Sequence, residues 1–385
     1  MALSRSDHTE SSLLHRALTA PLVLERLPWW LALIILAIPA LGAGFLWHKN
    51  LIVTSFLLGM NALDWLSLLM LPKLKRSFGP VMPPLLSLAV VRTALTILVG
   101  WLGSWTTGAL WAVIGLQFAV LAISTYGLWY EPFHLSVTYE TLRTPLLDPH
   151  LPPVRILHLT DLHVEQPTIR EERLQRLIEQ LVPDLIVFSG DFINLSYRDN
   201  PSAYADVRAV IGQWQAPGGV FAVSGSPLVE SQEMVAEFVR GTAVRWLRDE
   251  IAEVEIRGQK LAIIGVTCAH NIEDDAQRMR HLAVQVPSDR FKLLLFHSPD
   301  IAPQASQAGI NLYVCGHTHG GQWRLPFYGA LITSSKLGKR YEMGRFTVNG
   351  MTLYVSRGIG LEGASAPRAR LFCQPEIILW TLSGH

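Results

Sequence analysis

The chain has 385 residues, half of them apolar and only 16% charged, with a net charge of +1. That length leaves room for more than one domain, and the apolar excess is too large for an ordinary soluble protein. Residues 1–130 carry eight Lys/Arg against four Asp/Glu, and the remainder 24 against 27, so no basic face for tracking phosphates is indicated and nucleic acid is not an expected partner.

The segment 1–27 is polar. From Pro28 to Tyr130 the only charged residues are Lys49, Asp64, Lys73, Lys75, Arg76 and Arg92. Four apolar stretches in this region, near 29–47, 51–71, 84–105 and 109–130, reach the length of about 20 residues that a bilayer requires. Trp29, Trp30, Trp47, Trp101, Trp105, Trp129 and Tyr130 cluster at their ends, where amphipathic rings favour the interface. A single stretch could be a buried core helix. Four in succession with almost no charge read as a transmembrane bundle over 28–130 in a multi-pass protein of the cell membrane. The first follows a long polar lead and is succeeded by three more, which argues against a cleaved signal peptide.

Arg5, Arg16 and Arg26 precede the first span, and Lys73, Lys75 and Arg76 lie between the second and third. The opposite side has only Lys49. The positive-inside rule then places everything after Tyr130 in the cytoplasm. Asp64 and Arg92 fall inside spans two and three, both about 10–12 Å from the same membrane face at 1.5 Å rise per residue. Charges at that depth are costly unless paired, so an ion pair across the two helices is expected, with a lipid-headgroup or proton site as the alternative. Two charges are sparse for a transport path.

A linker is expected over 131–153, followed by a soluble domain over 154–385. There the pattern changes to short apolar runs alternating with amphipathic stretches. "VRILHLTDLH" reads as a buried strand, and "TIREERLQRLIEQL" as a helix with Leu174, Leu177, Ile178 and Leu181 on one face. "PDLIVFSGDF" is a second strand, a helix is expected around 201–214, and "GGVFAVSGSP" is a third strand. "KLAIIGVT", "KLLLFHSP" and "INLYVCGHTHGG" follow, then strands near 345–356 and 375–382. This alternation predicts an α/β layered domain. Cys268, Cys315 and Cys373 are widely spaced and have no CxxC partner, so free buried thiols are expected rather than a zinc knot or disulfides.

The polar residues fall just beyond strand ends, where α/β sheets build their sites. Asp161 and His163 follow the first strand, Asp191 the second, His297 a later one, and His317 and His319 another. Any one of them could be a turn cap or a hydrogen-bonded histidine. Four imidazoles and two carboxylates at successive strand ends form a nitrogen/oxygen set suited to Mn, Fe or Zn.

In order and spacing, Asp161-x-His163, Gly190-Asp191, His297 and Gly316-His317-x-His319 resemble the signature of the calcineurin-like metallophosphoesterases. The stretches "GHTHGGQWRLPFYGALITSSKLGKRYEMG" and "LYVSRGIG" resemble the membrane-fused branch similar to the UDP-2,3-diacylglucosamine pyrophosphohydrolases. The resemblance implies a four-layer α/β/β/α sandwich after the N-terminal bundle of about four transmembrane helices. It implies two divalent ions, one held by Asp161, His163, Asp191 and His319, the other sharing Asp191 and taking His297 and His317. The implied chemistry is hydrolysis of a phosphate or pyrophosphate ester, lipid-linked given the four spans, by in-line attack of a hydroxide that the ions activate. The glycines of the loop would let the two histidines reach different ions and the backbone approach the phosphate.

One motif departs. The family's Gly-Asn-His-Asp/Glu is represented by "SGSPLVE", with Ser226 where the family has the asparagine ligand and Pro227 where it has the phosphate-contacting histidine. Ser226 is a weak ligand, so the second ion is expected to bind loosely. Proline donates no proton, and no catalytic residue is assigned in its place. Asn194 and His270 are candidate replacements, each with a surface position as its plainer reading. The departure keeps open an alternative: a degenerate domain that binds metal or lipid phosphate and regulates a partner without turnover. Residues Trp323, Leu325, Pro326, Phe327 and Tyr328, after the histidines, are candidates for meeting acyl chains or for ordinary core packing.

Overall fold

The structure is a computed structural model that describes Leu24 and residues 27–48, 50–362 and 368–385. Arg5, Arg16, Arg26 and Lys49, on which the orientation argument draws, lie outside the described residues, as does most of the segment 1–27. The chain divides into two compact units, Met1–Tyr130 with Gly363–Arg368, and Glu131–Glu362 with Ala369–His385.

Among the described residues, the first unit contains four long helices: α1 (Trp29–Leu46), α2 (Asn50–Lys73), α3 (Met82–Leu102) and α4 (Thr107–Thr125). All four are long and apolar enough to cross a membrane. Their faces carry exposed Leu33, Ile38, Phe45, Leu66, Val90 and Trp111, as helices solvated by lipid would. The expected pair forms inside this bundle. The Arg92 guanidinium donates to both carboxylate oxygens of Asp64, Nε to Oδ2 at 2.6 Å and Nη2 to Oδ1 at 2.8 Å. Its Nη1 reaches the carbonyl and side-chain oxygens of Gln117, and Gln117 Nε2 returns a bond to the Arg92 carbonyl. Such a bidentate, closed network is the arrangement that makes buried charge tolerable.

The second unit has two six-stranded sheets. The first runs β1 (Ser136–Arg143), β14 (Glu376–Ser383), β2 (Val154–Leu159), β3 (Leu185–Phe188), β4 (Val220–Ala222), β5 (Val244–Trp246). The second runs β12 (Gly344–Val348), β13 (Met351–Val355), β9 (Leu312–Cys315), β8 (Phe291–Leu295), β7 (Gln259–Gly265), β6 (Glu250–Ile256). Alternation along each strand decides which layer a residue joins. Ile156, Leu185, Val187 and Phe221 of the first sheet face Leu261, Ile263, Leu293 and Val314 of the second in one buried core. Leu157, Ile186 and Phe188 point the other way. They pack on α5 (Ile169–Leu181), α6 (Pro201–Ile211) and α7 (Gln232–Val239) through Leu174, Ile178, Val207, Val235 and Phe238. Ala262, Ile264 and Leu294 do the same with Ala276, Met279 and Leu282 of α8 (Ile272–Ala283). The layering is helix, sheet, sheet, helix.

Local sequence sets the helix starts. Thr168 caps α5, accepting from Arg170 N, while Glu171 returns a bond to the Thr168 N–H at 2.7 Å, a reciprocal capping box. In the two large sheets, three strands have no counterpart among the expected elements: β1, which lies within the expected linker and pairs in parallel with β14, and β5 and β6 at sheet edges. All three cysteines are buried and free.

Candidate metal centre

The carboxyl ends of β2, β3, β4, β7, β8 and β9 converge. Asp161 and His163 follow β2, Asp191 follows β3, Ser226 follows β4, His270 follows β7, His297 follows β8, and His317 and His319 follow β9. Backbone bonds lock the first two loops together: Asp161 N–H donates to Gly190 O at 2.9 Å, and His163 N–H to Asp191 O at 3.1 Å. Asp161, His163, Asp191, His270, His317 and His319 all have positive φ, between 46° and 69°. Non-glycine residues rarely hold this conformation, which costs on the order of 1–3 kcal/mol each and collects at functional sites.

Three groups of donor atoms are close enough to share an ion: Asp161 with His163 and His319; Asp161 with Asp191 and His297; and His163 with Asp191 and Glu362. His163 Nε2 stands 3.0 Å from His319 Nε2 and 3.5 Å from Asp191 Oδ2, and His319 Nε2 is 3.6 Å from Asp161 Oδ1. Asp191 Oδ2 is 3.3 Å from His297 Nε2, so this one oxygen faces both sides of the site. Ligands about 2.1 Å from one ion sit roughly 3 to 3.5 Å apart, which these separations match. His297 Nδ1 donates to the Ser189 carbonyl at 2.8 Å, which fixes the tautomer and turns Nε2 into the site. The residues present therefore fit a divalent-metal centre.

His317 is placed differently. Its Nδ1 lies 3.4 Å from Ser226 Oγ, and its ring packs against those of His297 and His270. Its N–H donates to both oxygens of Asp161, at 3.0 and 3.2 Å. Ser226 occupies a hub, its Oγ 3.2 Å from His297 Nε2 and 3.0 Å from His270 Nε2, while its N–H donates to Asp191 Oδ1 at 2.7 Å. His270 is thus half-buried at the site rather than on the surface. Asn194 is fully buried, its side chain spent on the Leu361 carbonyl and the Ser196 N–H.

Two residues were not anticipated. Glu362 Oε2 is 3.5 Å from His163 Nε2, and its only trace in the sequence is an acid inside a glycine-rich turn after β13. Glu230 accepts the N–H groups of Asp191, Phe192 and Gly225 at 3.2, 2.7 and 2.6 Å, clamping two ligand loops. Close approach explains two glycines. A Cβ on Gly316 would lie 2.0 Å from Asp161 Oδ2, and one on Gly225 2.0 Å from Asp191 Oδ1.

Electrostatics follows from burial and crowding. Burial drives His317 and His319 well below the usual imidazole range, leaving neutral rings with free lone pairs. Burial likewise lowers His270 to about 4, helped by His297. For Asp191, burial opposes the charge, but His297 and His163 overcome it and hold the carboxyl below the usual range. Burial also opposes charge on His297, yet Asp191 by charge and hydrogen bond, with Asp161, raises it to about 9. Burial, with Asp191 beside it, pushes Glu230 up to about 7.

The family model for the calcineurin-like phosphoesterase superfamily domain matches residues 154–325. The chain is 30% identical over 302 residues to the uncharacterized metallophosphoesterase YkuE of Bacillus subtilis, covering 74% of this chain and 96% of that protein. It is 26% identical over 240 residues to the phosphodiesterase YaeI of Escherichia coli, covering 60% of this chain and 82% of that one. It is 24% identical over 301 residues to the UDP-2,3-diacylglucosamine pyrophosphatase LpxG of Chlamydia muridarum, covering 65% and 89% respectively.

Proposed function

Starting from the fact that the chain belongs to the calcineurin-like phosphoesterase superfamily and is a metal-dependent phosphoester hydrolase, we propose that it is a multi-pass membrane enzyme that cleaves a lipid-linked pyrophosphate at the cytoplasmic surface. The observation that carries the catalytic part is that two carboxylates and four imidazoles are linked into one cluster by contacts of 3.0 to 3.6 Å, running from Asp161 through His319, His163, Asp191 and His297 to Ser226 and His317.

Asp161, His163, Asp191 and His319 would hold one ion, and Asp191, His297 and His317 a second, with Mn, Fe or Zn suited to this donor set. Such ions lower the pKa of water and neutralise phosphate oxygens. The chain's own contribution is orientation. The Ser189 carbonyl aims His297, the Ser226 N–H and Glu230 anchor the Asp191 loop, and the His317 N–H steadies Asp161.

Two features support the substrate class. Pro227 offers no proton where the family has histidine, and a phosphate leaving group needs less protonation than an alkoxide. After the histidines, the hairpin β10 (Arg324–Leu325) and β11 (Gly329–Ala330) and the segment beyond it expose Leu325, Phe327, Tyr328, Leu331 and Ile332, so core packing does not account for them. Lys339 Nζ lies over the Tyr328 ring at 3.6 Å, adding a cation beside this apolar surface. A water-exposed patch of this kind suits acyl chains with an anionic head. The four apolar helices and the basic residues Lys73, Lys75 and Arg76 support the membrane-integral, cytoplasm-facing arrangement.

The test is turnover of lipid-linked pyrophosphates in mixed micelles by detergent-purified full-length chain with Mn²⁺, against soluble nucleotide sugars. Preference for the lipid substrates, abolished by chelator, is expected. Equal turnover of both classes would overturn the lipid part. Metal binding without turnover of any ester would favour a regulatory domain.

A further inference from the structure

The departure at "SGSP" removes the family's asparagine ligand, yet the place around Ser226 is not short of donors. Three imidazole nitrogens surround one hydroxyl: His270 Nε2 at 3.0 Å, His297 Nε2 at 3.2 Å and His317 Nδ1 at 3.4 Å from Ser226 Oγ. The His270 ring packs at 4.6 Å on that of His317 and at 6.4 Å from that of His297. Two of these three residues belong to the set read as holding the second ion. The third comes from the end of β7, which contributes nothing to the family signature.

His270 is also held in place. Its backbone is in the left-handed region, with φ 55°, as in five of the six signature residues. Its carbonyl accepts Lys336 Nζ at 2.6 Å, the buried Cys268 sulfur lies beside the ring at 3.7 Å from Nδ1 and 4.0 Å from Nε2, and Nε2 faces the hub at 3.0 Å from Ser226 Oγ. A ring that merely filled surface space would need neither the unusual backbone nor an orientation shared with two ligand histidines. An imidazole is a far better ligand than the serine hydroxyl for Mn, Fe or Zn.

We propose that His270 is a ligand of the second ion, its Nε2 supplying the donor that the family takes from asparagine, while Ser226 Oγ marks the point on which the three imidazole nitrogens converge. This rests on the metal-centre reading above and deepens it. The second site is then a three-histidine site sharing Asp191, and the loss of the asparagine is compensated rather than degenerative. His270 would act through metal occupancy and not as the missing proton donor.

The experiment is metal content of full-length protein in detergent, stripped with chelator and dialysed to equilibrium against Mn²⁺, with electron paramagnetic resonance on the same samples. Wild type should bind two Mn²⁺ per chain and show an exchange-coupled signal. His270→Ala and His270→Gln should keep one tightly bound ion, bind the second at least about tenfold more weakly, and show the signal of isolated Mn²⁺. Restoring the family residue, as Ser226→Asn in the His270→Ala background, should recover the second ion.

Two coupled ions in both His270 variants would overturn the proposal. So would loss of both ions in both variants, because a ligand of one ion leaves the other in place. A single ion in wild type that the His270 variants do not change would overturn it while leaving a mononuclear centre standing. No ion in wild type would overturn the metal-centre reading itself.

Discussion

Gly225→Ala tests the site through a residue that carries no functional group. An added Cβ would sit 2.0 Å from Asp191 Oδ1 and 2.3 Å from Asp191 N, where real Cβ contacts stay beyond 3.0 Å, so Oδ1 must retreat by about 1 Å. The backbone cannot simply yield. The N–H groups of Asp191 and Gly225 both donate to Glu230, and the Ser226 N–H donates to the displaced oxygen. Overpacking of this kind costs roughly 1–3 kcal/mol. A shift of about 1 Å in a group that fixes the reacting geometry costs on the order of 100-fold in rate. Asp191 Oδ2 faces both His163 and His297, so both ions should weaken together, each tenfold loss removing about 1.4 kcal/mol of metal-dependent stabilisation. The assay is thermal unfolding with and without Mn²⁺, plus metal content and hydrolysis rate, with Gly115→Ala as control because nothing lies within 4 Å of its added Cβ. Gly225→Ala with wild-type metal content and rate would refute the assignment of Asp191 as the shared ligand.

In the helical unit, Arg92→Ala strands a buried carboxylate and should cost about 3–5 kcal/mol in detergent unfolding. Asp64→Leu with Arg92→Met should cost less than the single change, and a greater cost would contradict the view of the pair as mainly structural. Metal binding near neutral pH should release a proton. His297, raised to about 9, is protonated in the metal-free protein at that pH and must lose the proton to become a ligand. The release should vanish above about pH 9, and calorimetric heats that do not depend on the buffer's ionisation enthalpy would contradict it. Phe327→Ser and Ile332→Ser should each raise KM for a lipid-linked pyrophosphate by about tenfold or more, from roughly 1.5–3 kcal/mol of side-chain burial. The effect on a soluble diester should be far smaller, and equal effects would argue against acyl contact.

The layered fold was legible because its central strands are buried on both faces, so β2, β3, β8 and β9 read as apolar runs ending in chemistry-bearing residues. β1, β5 and β6 are edge strands with partly exposed faces, and their mixed pattern resembles connecting chain. The helix α5 announced itself twice, by its apolar face and by the Thr168–Glu171 box. Signature residues within the site were readable from local spacing such as Asp161-x-His163 and His317-x-His319. Glu362 and Glu230 were not, and His270 stood only as a candidate replacement with a surface position as its plainer reading, because their roles arise from loops separated by tens of residues that meet only in the folded sheet. Five residues after Gly225, Glu230 clamps Gly225 and Asp191 from a position the four-residue family motif does not mark.

The most direct measurement of the central claim is hydrolysis of bis(p-nitrophenyl) phosphate by purified full-length protein, alongside its metal content. The account predicts turnover that needs Mn²⁺ or a similar divalent ion, is abolished by chelator and restored by metal, and is lost in His317→Ala with at least one ion retained. Turnover in His317→Ala equal to wild type, or turnover unaffected by chelator, would contradict it.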